Sequence, residues 1–279
     1  MYSDKGEVNY VAVYLDEDIE FYHRVKRSKD FKMSESHFHN RHELYYLVKG
    51  TARYFVNDEI FSLKAGDMVF IPKGAFHKTS VEQGREVERI ILVFDDDFAG
   101  VEFLPYIDKL KENKHIRLTS HDILKTDEIL NKISLECQRK ETDYIEMQKL
   151  YLRQLLILIS RHRLTDLSGK EDSSVKLIES IMQYISANTD SDLSLDKLSE
   201  RYSISPNYLS KQFKKISGLL LSEYISISRI NKAEKLLKNA ALPITEVATR
   251  CGFNDSNYFA SVFKKYKGIT PKKYSILNR

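Results

Sequence analysis

The stretch ITEVATRCGFNDSNYFASVFKKYKGITPKKY, residues 244–274, decides the fold because most of its pattern occurs twice in the chain. Its second half repeats a pattern fifty residues upstream, whereas its first half is offset by 49, so the second copy has one extra residue in its turn. The paired positions are Leu195 with Ile244, Leu198 with Val247, Ser199 with Ala248, Arg201 with Arg250, Asn207-Tyr208 with Asn257-Tyr258, Phe213-Lys214-Lys215 with Phe263-Lys264-Lys265, Gly218 with Gly268 and Tyr224 with Tyr274. The repeat predicts one supersecondary unit used twice.

Each copy has the pattern of a helix-turn-helix. A short helix over about 195–202 or 244–251 carries apolar residues three apart and a small residue where a second helix crosses closely. Gly252 can supply the positive φ that a tight turn needs, while Ser203 stands at that place in the first copy and is strained if it adopts the same φ. The second helices begin after suitable N-caps, which are Ser205 in one copy and Asn254 or Asp255 in the other.

The second helix of each copy is predicted to be amphipathic. Its apolar face consists of Leu209, Phe213 and Ile216 in the first copy and of Phe259, Phe263 and Tyr266 in the second. The polar residues outside that face are candidates to reach base edges and phosphates in a major groove: Asn207, Ser210, Lys211, Lys214, Lys215, Ser256, Asn257, Tyr258, Ser261, Lys264 and Lys265. The alternative is a helical bundle whose repeat reflects packing alone.

Charge is unevenly distributed along the chain. The formal net charge is +4, but residues 173–279 carry 17 Lys and Arg against 9 Asp and Glu, whereas residues 1–172 carry 27 against 31. A basic C-terminal part beside a mildly acidic N-terminal part is typical of a nucleic-acid-binding module joined to another domain. A solvated, lysine-rich surface would produce the same imbalance.

The N-terminal half predicts a β-structure followed by helices. Tyr45–Val48, Arg53–Val56, Met68–Ile71 and Arg89–Phe94 read as short strands separated by turn residues, as in a sandwich or barrel. Long segments without Pro or Gly, about 123–140 and 143–163, then follow a helical period. We therefore expect an α+β protein with a barrel domain over 1–165, a polar linker over 166–174 and an all-α domain over 175–279.

At this point the C-terminal hundred residues resemble the DNA-binding domain of the AraC/XylS family of bacterial transcription regulators. The resemblance is carried by Ile185, Leu209, Phe213-Lys214, Gly218, Arg229, Ala233, Leu236-Leu237, Ile244, Val247-Ala248, Gly252-Phe253, Asp255, Tyr258-Phe259, Phe263-Lys264-Lys265, Gly268, Thr270-Pro271 and Tyr274. It implies that the helices matching about 206–217 and 255–267 enter successive major grooves of operator DNA, held by a connecting helix over about 222–238. Ser203 departs from the usual turn glycine, and Ser275 stands where arginine is frequent.

The N-terminal half contains a histidine pattern. His37, His39 and Glu43 share parity, so on an extended strand they point to one face, and His42 points to the other. Together with Gly50, Gly66, Pro72, Gly74 and His77 they resemble both halves of the cupin barrel signature. In metal-binding cupins the positions of His37, His39, Glu43 and His77 are ligands, and such a set suits Zn²⁺, Fe²⁺, Mn²⁺ or Ni²⁺. The alternatives are hydrogen bonds from these side chains to a small effector such as a sugar, or to one another.

The expected function is transcription regulation, with operator DNA on the C-terminal domain and a small-molecule effector in the barrel. The resemblance also implies a homodimer formed through the helices of the N-terminal half, with RNA polymerase as a further partner. We expect no enzyme activity. A metal-dependent cupin enzyme with a helical appendage, and a constitutive DNA-binding protein with an inert barrel, remain as alternatives.

Several other classes are disfavoured. Cys137 and Cys251 are the only cysteines, so a disulfide framework is excluded. The longest aliphatic run, Leu155–Ile159, is far shorter than the roughly 20 residues that span a bilayer. Since the first residues also lack the layout of a secretory signal, we expect a cytoplasmic protein without a membrane partner.

Overall fold

The structure is a computed structural model and describes residues 8–15, 19–27, 39–57, 59–81, 86–161, 173–239 and 242–277. Its strands are β1 (Val8–Leu15), β2 (Ile19–Arg27), β3 (His42–Lys49), β4 (Thr51–Val56), β5 (Glu59–Lys64), β6 (Asp67–Ile71), β7 (His77–Ser80), β8 (Glu86–Phe94) and β9 (His115–Arg117). A six-stranded sheet of order β1-β2-β8-β3-β6-β9 lies against a three-stranded sheet of order β5-β4-β7, and the paired strands run antiparallel. The predicted strands all lie within β3, β4, β6 and β8.

Alternation along these strands separates the inside of the barrel from its outside. On β3, Tyr45 and Leu47 belong to the cluster between the sheets, while Leu44 and Tyr46 belong to a second cluster beneath the helices that follow. Those helices are α1 (Asp96–Ala99), α2 (Leu104–Glu112), α3 (Ser120–Arg139) and α4 (Tyr144–Ser160), with a 3-10 turn over Val101–Phe103. Two of them, α3 and α4, correspond to the segments predicted at about 123–140 and 143–163.

The C-terminal domain is helical, as predicted. It consists of α5 (Ser173–Ala187), α6 (Leu195–Arg201), α7 (Pro206–Ser217), α8 (Leu221–Asn239), α9 (Ile244–Arg250), α10 (Ser256–Lys267) and α11 (Pro271–Leu277). The linker predicted at 166–174 ends earlier, because α5 begins at Ser173, and its amphipathic pattern buries Val175 and Ile178. The part of the linker before Ser173 lies outside the described residues.

Both helix-turn-helix motifs are present, as α6–α7 and α9–α10, with α8 between them. Gly252 has φ +83° and Ser203 has φ +53°, so the serine adopts the left-handed conformation of the glycine that it replaces. Ser205 caps α7 by accepting the Tyr208 backbone N–H at 3.2 Å, and Asp255, rather than Asn254, caps α10 at Tyr258.

The two domains share an apolar interface that the sequence did not predict. Phe55, Ile60 and Phe76, on the outer side of the three-stranded sheet, belong to the hydrophobic cluster of the C-terminal helices. The Phe55 ring lies 5.9 Å from that of Tyr224 on α8, and the Phe76 ring lies 5.9 Å from that of Tyr266 on α10. The C-terminal core therefore extends onto the outer side of the three-stranded sheet.

Candidate nucleic-acid interface and barrel site

The recognition helices α7 and α10 each bury one face and expose the other. Leu209, Phe213, Phe259 and Phe263 are fully buried. The predicted DNA-contacting residues are exposed, except for the half-buried Ser256: Asn207, Ser210, Lys211, Lys214 and Lys215 on α7, and Asn257, Tyr258, Ser261, Lys264 and Lys265 on α10. The barrel packs against the C-terminal domain without covering this surface.

One residue from each of the two exposed faces lines a common cleft. An open cleft of about 1040 Å³ lies between the motifs, and its walls include Ser210 from α7 and Tyr258 from α10. Arg229, on the connecting helix α8, also lines the cleft. Both recognition helices therefore present polar residues to the same side of the domain, which is the arrangement that reading two segments of one duplex requires.

The connecting helix α8 is held to the segment after α5, to the second motif and to α11 mainly through half-buried polar contacts. Arg229 Nε donates to the Thr189 carbonyl oxygen at 3.0 Å, and the guanidinium lies 5.7 Å from the Phe253 ring centroid. Glu234 accepts hydrogen bonds from Tyr274 at 2.6 Å and from Lys238 at 2.9 Å. Burial opposes ionisation of Glu234, but Lys267 and these donors lower its pKa to about 2. The spacing of α7 and α10 is thus set by a rigid element.

Three of the four predicted barrel residues converge. His39 Nε2 lies 3.1 Å and His77 Nε2 lies 3.5 Å from the same oxygen of Glu43, and one ligand atom from each residue falls within 4.8 Å of the others. His37 lies outside the described residues. Parity predicts that His39 lies on a strand, but β3 begins only at His42, and a bend over residues 39–41 brings His39 over Glu43 instead.

The histidine rings are oriented by their other nitrogens. His39 Nδ1 lies 2.8 Å from the Arg41 carbonyl oxygen, and His77 Nδ1 lies 3.0 Å from that of Ala75. A carbonyl oxygen only accepts, so each Nδ1 carries a proton and each Nε2 faces the Glu43 carboxylate. Two Nε2 atoms and a carboxylate in this arrangement need a proton or a cation between them, and histidines oriented in this way are typical of metal ligands.

The pKa values of His39 and Glu43 reflect the need for a proton or a cation between the imidazoles and the carboxylate. Burial opposes a charged His39, but its hydrogen bond to Glu43 and the charge of that carboxylate raise the pKa of His39 above 6.5. Burial likewise opposes ionisation of Glu43, yet His77 and His39 hold its pKa well below the usual range. Tyr54 donates a further hydrogen bond to Glu43 at 2.9 Å. The cluster therefore holds a carboxylate at neutral pH, in contact with imidazole.

His42 points away from the cluster, as its parity predicted. It is fully buried on the other face of β3, where its ring stacks on that of Phe70 with centroids 5.3 Å apart. Its Nε2 lies 2.9 Å from Asp96, and its Nδ1 accepts the Lys73 backbone N–H at 3.0 Å. Because both ring nitrogens are engaged outside the barrel interior, His42 is a structural residue.

Three polar side chains inside the barrel were not predicted from the sequence, namely Tyr45, Tyr54 and Arg89. They belong to β3, β4 and β8, and all three are buried. A signal for them was available, because Tyr45 shares the parity of Glu43, and Arg89 shares that of its apolar neighbours Val87 and Ile91. The strand predicted over residues 89–94 does not by itself indicate which face of the sheet the Arg89 side chain occupies.

None of the helices in the described part of the chain combines the length and apolarity that a membrane crossing requires. Two family models match the chain: one described as a helix-turn-helix domain over residues 198–275, and one described as a cupin domain over residues 29–94. The first covers both helix-turn-helix motifs, and the second covers the sequence that holds the histidine cluster.

The chain is similar over most of its length to curated transcription regulators. It is 28% identical over 247 residues to the HTH-type transcriptional activator RhaR of Escherichia coli strain K12, with 87% of each chain covered. Among solved structures, the C-terminal domain of the response regulator yesN from Fusobacterium nucleatum is 43% identical, covering 35% of this chain and 95% of that one, with a TM-score of 0.33. ToxT from Vibrio cholerae O395 is 16% identical, covering 94% and 99%, with a TM-score of 0.38.

Proposed function

Because the chain belongs to the AraC/XylS family of transcription regulators and carries a cupin-type N-terminal domain, we propose that it binds a specific operator and regulates transcription in response to a small molecule in the barrel. The observation that carries this proposal is the pair of helix-turn-helix motifs, each of which has an exposed polar face with one residue in the wall of a common cleft. The proposal assigns no reaction to the barrel. Its matched relatives are transcription regulators, as the RhaR proteins illustrate.

The proposal includes a homodimer formed through α3 and α4, with RNA polymerase as a partner at the promoter. Leu124 on α3 is 69% exposed and Leu150 on α4 is 54% exposed, although both helices otherwise bury a continuous apolar face. A second subunit packing on these helices would cover such residues. Two subunits, each with two motifs, would then contact DNA together, and the affinity of one would hold the other near its site.

Selection of the full-length protein against a random duplex pool tests the DNA-binding proposal. We expect an enriched motif with two conserved segments about 10 bp apart for each subunit, because α7 and α10 reach successive turns of the major groove. The selection is run with and without a mixture of sugars and sugar acids, so that a requirement for an effector does not hide binding. A pool that shows no enrichment under either condition contradicts the proposal.

We further propose that His39, Glu43 and His77 can hold a divalent metal in the barrel. Two imidazole nitrogens and a carboxylate oxygen form a donor set that Zn²⁺, Fe²⁺, Mn²⁺ and Ni²⁺ accept. His37, whose placement is not described, is the proposed fourth ligand. A bound metal would supply a Lewis-acidic position for an oxygen of the effector, while the protein residues fix its place in the barrel.

The metal proposal predicts a definite pH dependence. Zn²⁺ affinity is expected to fall as the pH is lowered from 8 to 6, because metal binding must displace protons from imidazoles and the pKa of His39 is raised. The folding stability of the metal-free protein depends on pH in the opposite direction. The His39–Glu43 pair contributes stability below pH 6.5, and this contribution is lost as the pH rises through the pKa of His39. Zinc titrations at several pH values measure the first effect, and urea unfolding with chelator measures the second.

Variants separate a metal site from a cluster of hydrogen bonds. His77→Ala should remove most of the bound metal, whereas His42→Gln, on the other face of β3, should leave it unchanged. Metal content is measured on protein purified without an affinity tag, before and after treatment with chelator. Less than about a tenth of an equivalent, with no thermal shift on adding Zn²⁺, Mn²⁺, Fe²⁺ or Ni²⁺, would reject the metal and leave these residues to the effector.

A further inference from the structure

Arg89 is a buried cation inside the barrel. It lies on β8 between Val87, a member of the apolar cluster between the two sheets, and Ile91, which packs against that cluster, and it is only 9% exposed. The carboxylate of Glu43 is the nearby opposite charge. The guanidinium carbon of Arg89 lies 5.8 Å from the centroid of the Tyr45 ring. An arginine in such a place is unusual, because interior positions of small barrels are normally filled by apolar side chains.

The donors of this pair are incompletely satisfied in the described part of the chain. Arg89 and Tyr45 interact with each other, but Arg89 Nε and the Tyr45 hydroxyl are both buried without a well-formed hydrogen bond to another described group. Burying a charge is costly unless it is paired, and a buried donor without an acceptor adds to that cost. A strand position that keeps a buried arginine with an unsatisfied Nε beside an unsatisfied hydroxyl points to a further acceptor from outside the chain.

The Arg89–Tyr45 pair is connected to the histidine cluster through Tyr54. Tyr54, which donates to Glu43, has its ring 4.6 Å from that of Tyr45, and Tyr45 lies against Arg89. Glu43 is opposite Val93 on β8, four residues along that strand from Arg89, so the two residues are offset by about 13 Å along the strands. The interior therefore has a cationic end and a carboxylate–imidazole end, separated by two tyrosines.

We propose that Arg89 and Tyr45 bind the carboxylate of the effector, and that the effector is a small hydroxy acid of the sugar-acid type. This inference rests on the proposed effector-sensing function of the barrel. The Nε edge of a guanidinium matches the two oxygens of a carboxylate, and the Tyr45 hydroxyl adds a third donor. The hydroxyl groups of the same molecule would reach Tyr54 and the histidine cluster. The two tyrosine rings favour an organic acid over a hydrated inorganic anion.

Matched ligand pairs test the inference on the full-length protein. Titration calorimetry and thermal shifts compare D-glucuronate with D-glucose, and D-gluconate with D-sorbitol, with inorganic phosphate as an additional anion. EDTA is present throughout, so that an acid that chelates a metal at the histidine cluster is not mistaken for an acid that binds Arg89. We expect the acids to bind at least tenfold more tightly than their neutral partners. Equal binding of acid and neutral members, or binding of phosphate alone, overturns the inference, as does a panel in which no compound binds.

Arg89→Met identifies the residue responsible. It keeps the aliphatic stem and removes the charge, so acid binding should weaken by about 10- to 150-fold, while binding of a neutral sugar should be unchanged. Arg53→Met is the matched control, because Arg53 lies on β4 next to Tyr54 and its side chain is on the opposite face. That variant should bind the acids as the parent does. If Arg53→Met has the effect expected of Arg89→Met, the site is misplaced.

The ligand-free stability of Arg89→Met gives a second readout. If Arg89 awaits a ligand, removing its incompletely satisfied buried charge should leave the Tm of the ligand-free protein unchanged or raise it. A fall of more than about 4 °C would show that Arg89 is paired within the chain, and would overturn the inference. Failure of the proposed regulatory function is a separate outcome from failure of this inference. It would appear as a lack of enriched sequences in the duplex selection. If neutral sugars bind and alter DNA binding while acids do not, only the anionic class is wrong.

Discussion

Gly252→Ala is expected to destabilise the C-terminal domain by about 3–5 kcal/mol and to abolish specific DNA binding. Gly252 has φ +83°, and a Cβ atom there would lie 2.2 Å from the Thr189 carbonyl oxygen and 3.0 Å from Arg229 Nε. The carbonyl is backbone, in the segment between α5 and α6, and it accepts the hydrogen bond from Arg229 on α8. Relief of the clash would therefore move the α9–α10 turn away from that segment and from Arg229. Urea unfolding and binding to the selected duplex measure the two effects.

Ser203→Gly is the matched control in the first motif. Ser203 already has a Cβ atom at φ +53°, so its turn has room for a side chain but keeps the strain of the left-handed conformation. Removing that strain should stabilise the protein by about 1 kcal/mol, reduced by the greater entropy of glycine in the unfolded chain, and should leave DNA binding intact. If both variants left stability and DNA binding unchanged, the turn at Gly252 would accommodate a Cβ atom despite the close contact, which would contradict the prediction.

The C-terminal domain was largely predictable because its signals are local. Caps such as Ser205 and turn residues such as Gly252 mark the ends of short helices, and the repeat tests each assignment against its other copy. The structure places α7 and α10 within a residue or so of the predicted bounds. The exposed polar residues followed directly, since a helix with one apolar face leaves few positions on the other side.

The barrel was less predictable because its site depends on distant pairings. Parity along a strand identified Glu43 and the outward direction of His42, but His39 reaches the cluster through a bend, which parity does not describe. Arg89 and Tyr45 meet only because β8 pairs with β3. The register between strands is set by the whole sheet, and no local pattern around Arg89 reports it.

The contact between the domains could not be predicted for a related reason. Phe55 and Phe76 are outward-facing aromatic residues on β4 and just before β7, and single exposed aromatics are ordinary on a protein surface. Their burial depends on where the C-terminal domain packs. Phe76 directly precedes His77 and Phe55 directly follows Tyr54, so neighbouring residues in the chain face the barrel site and the DNA-binding domain in turn. The interface is thus one residue away from the proposed effector site.

Asn257→Ala is expected to relax the base preference at one position of the operator and to weaken binding to the best duplex about 5- to 150-fold. Asn257 is exposed in the first turn of α10, and the N-terminal part of a recognition helix is the part that contacts base edges. Lys211→Ala should have a corresponding effect in the other segment of the operator, because Lys211 is exposed on α7. Repeating the duplex selection with each variant shows which position loses its preference.

Lys265→Ala distinguishes base contacts from phosphate contacts. Lys265 is exposed near the C-terminal end of α10, away from the residues that would enter the groove first, so its ammonium group is expected to reach the DNA backbone. The variant should weaken binding to all duplexes alike and reduce the logarithmic salt slope by about 1, whereas Asn257→Ala should leave that slope unchanged. If Asn257→Ala lowers affinity equally for every duplex, the side chain does not read a base, and sequence recognition must come from other residues of α7 and α10.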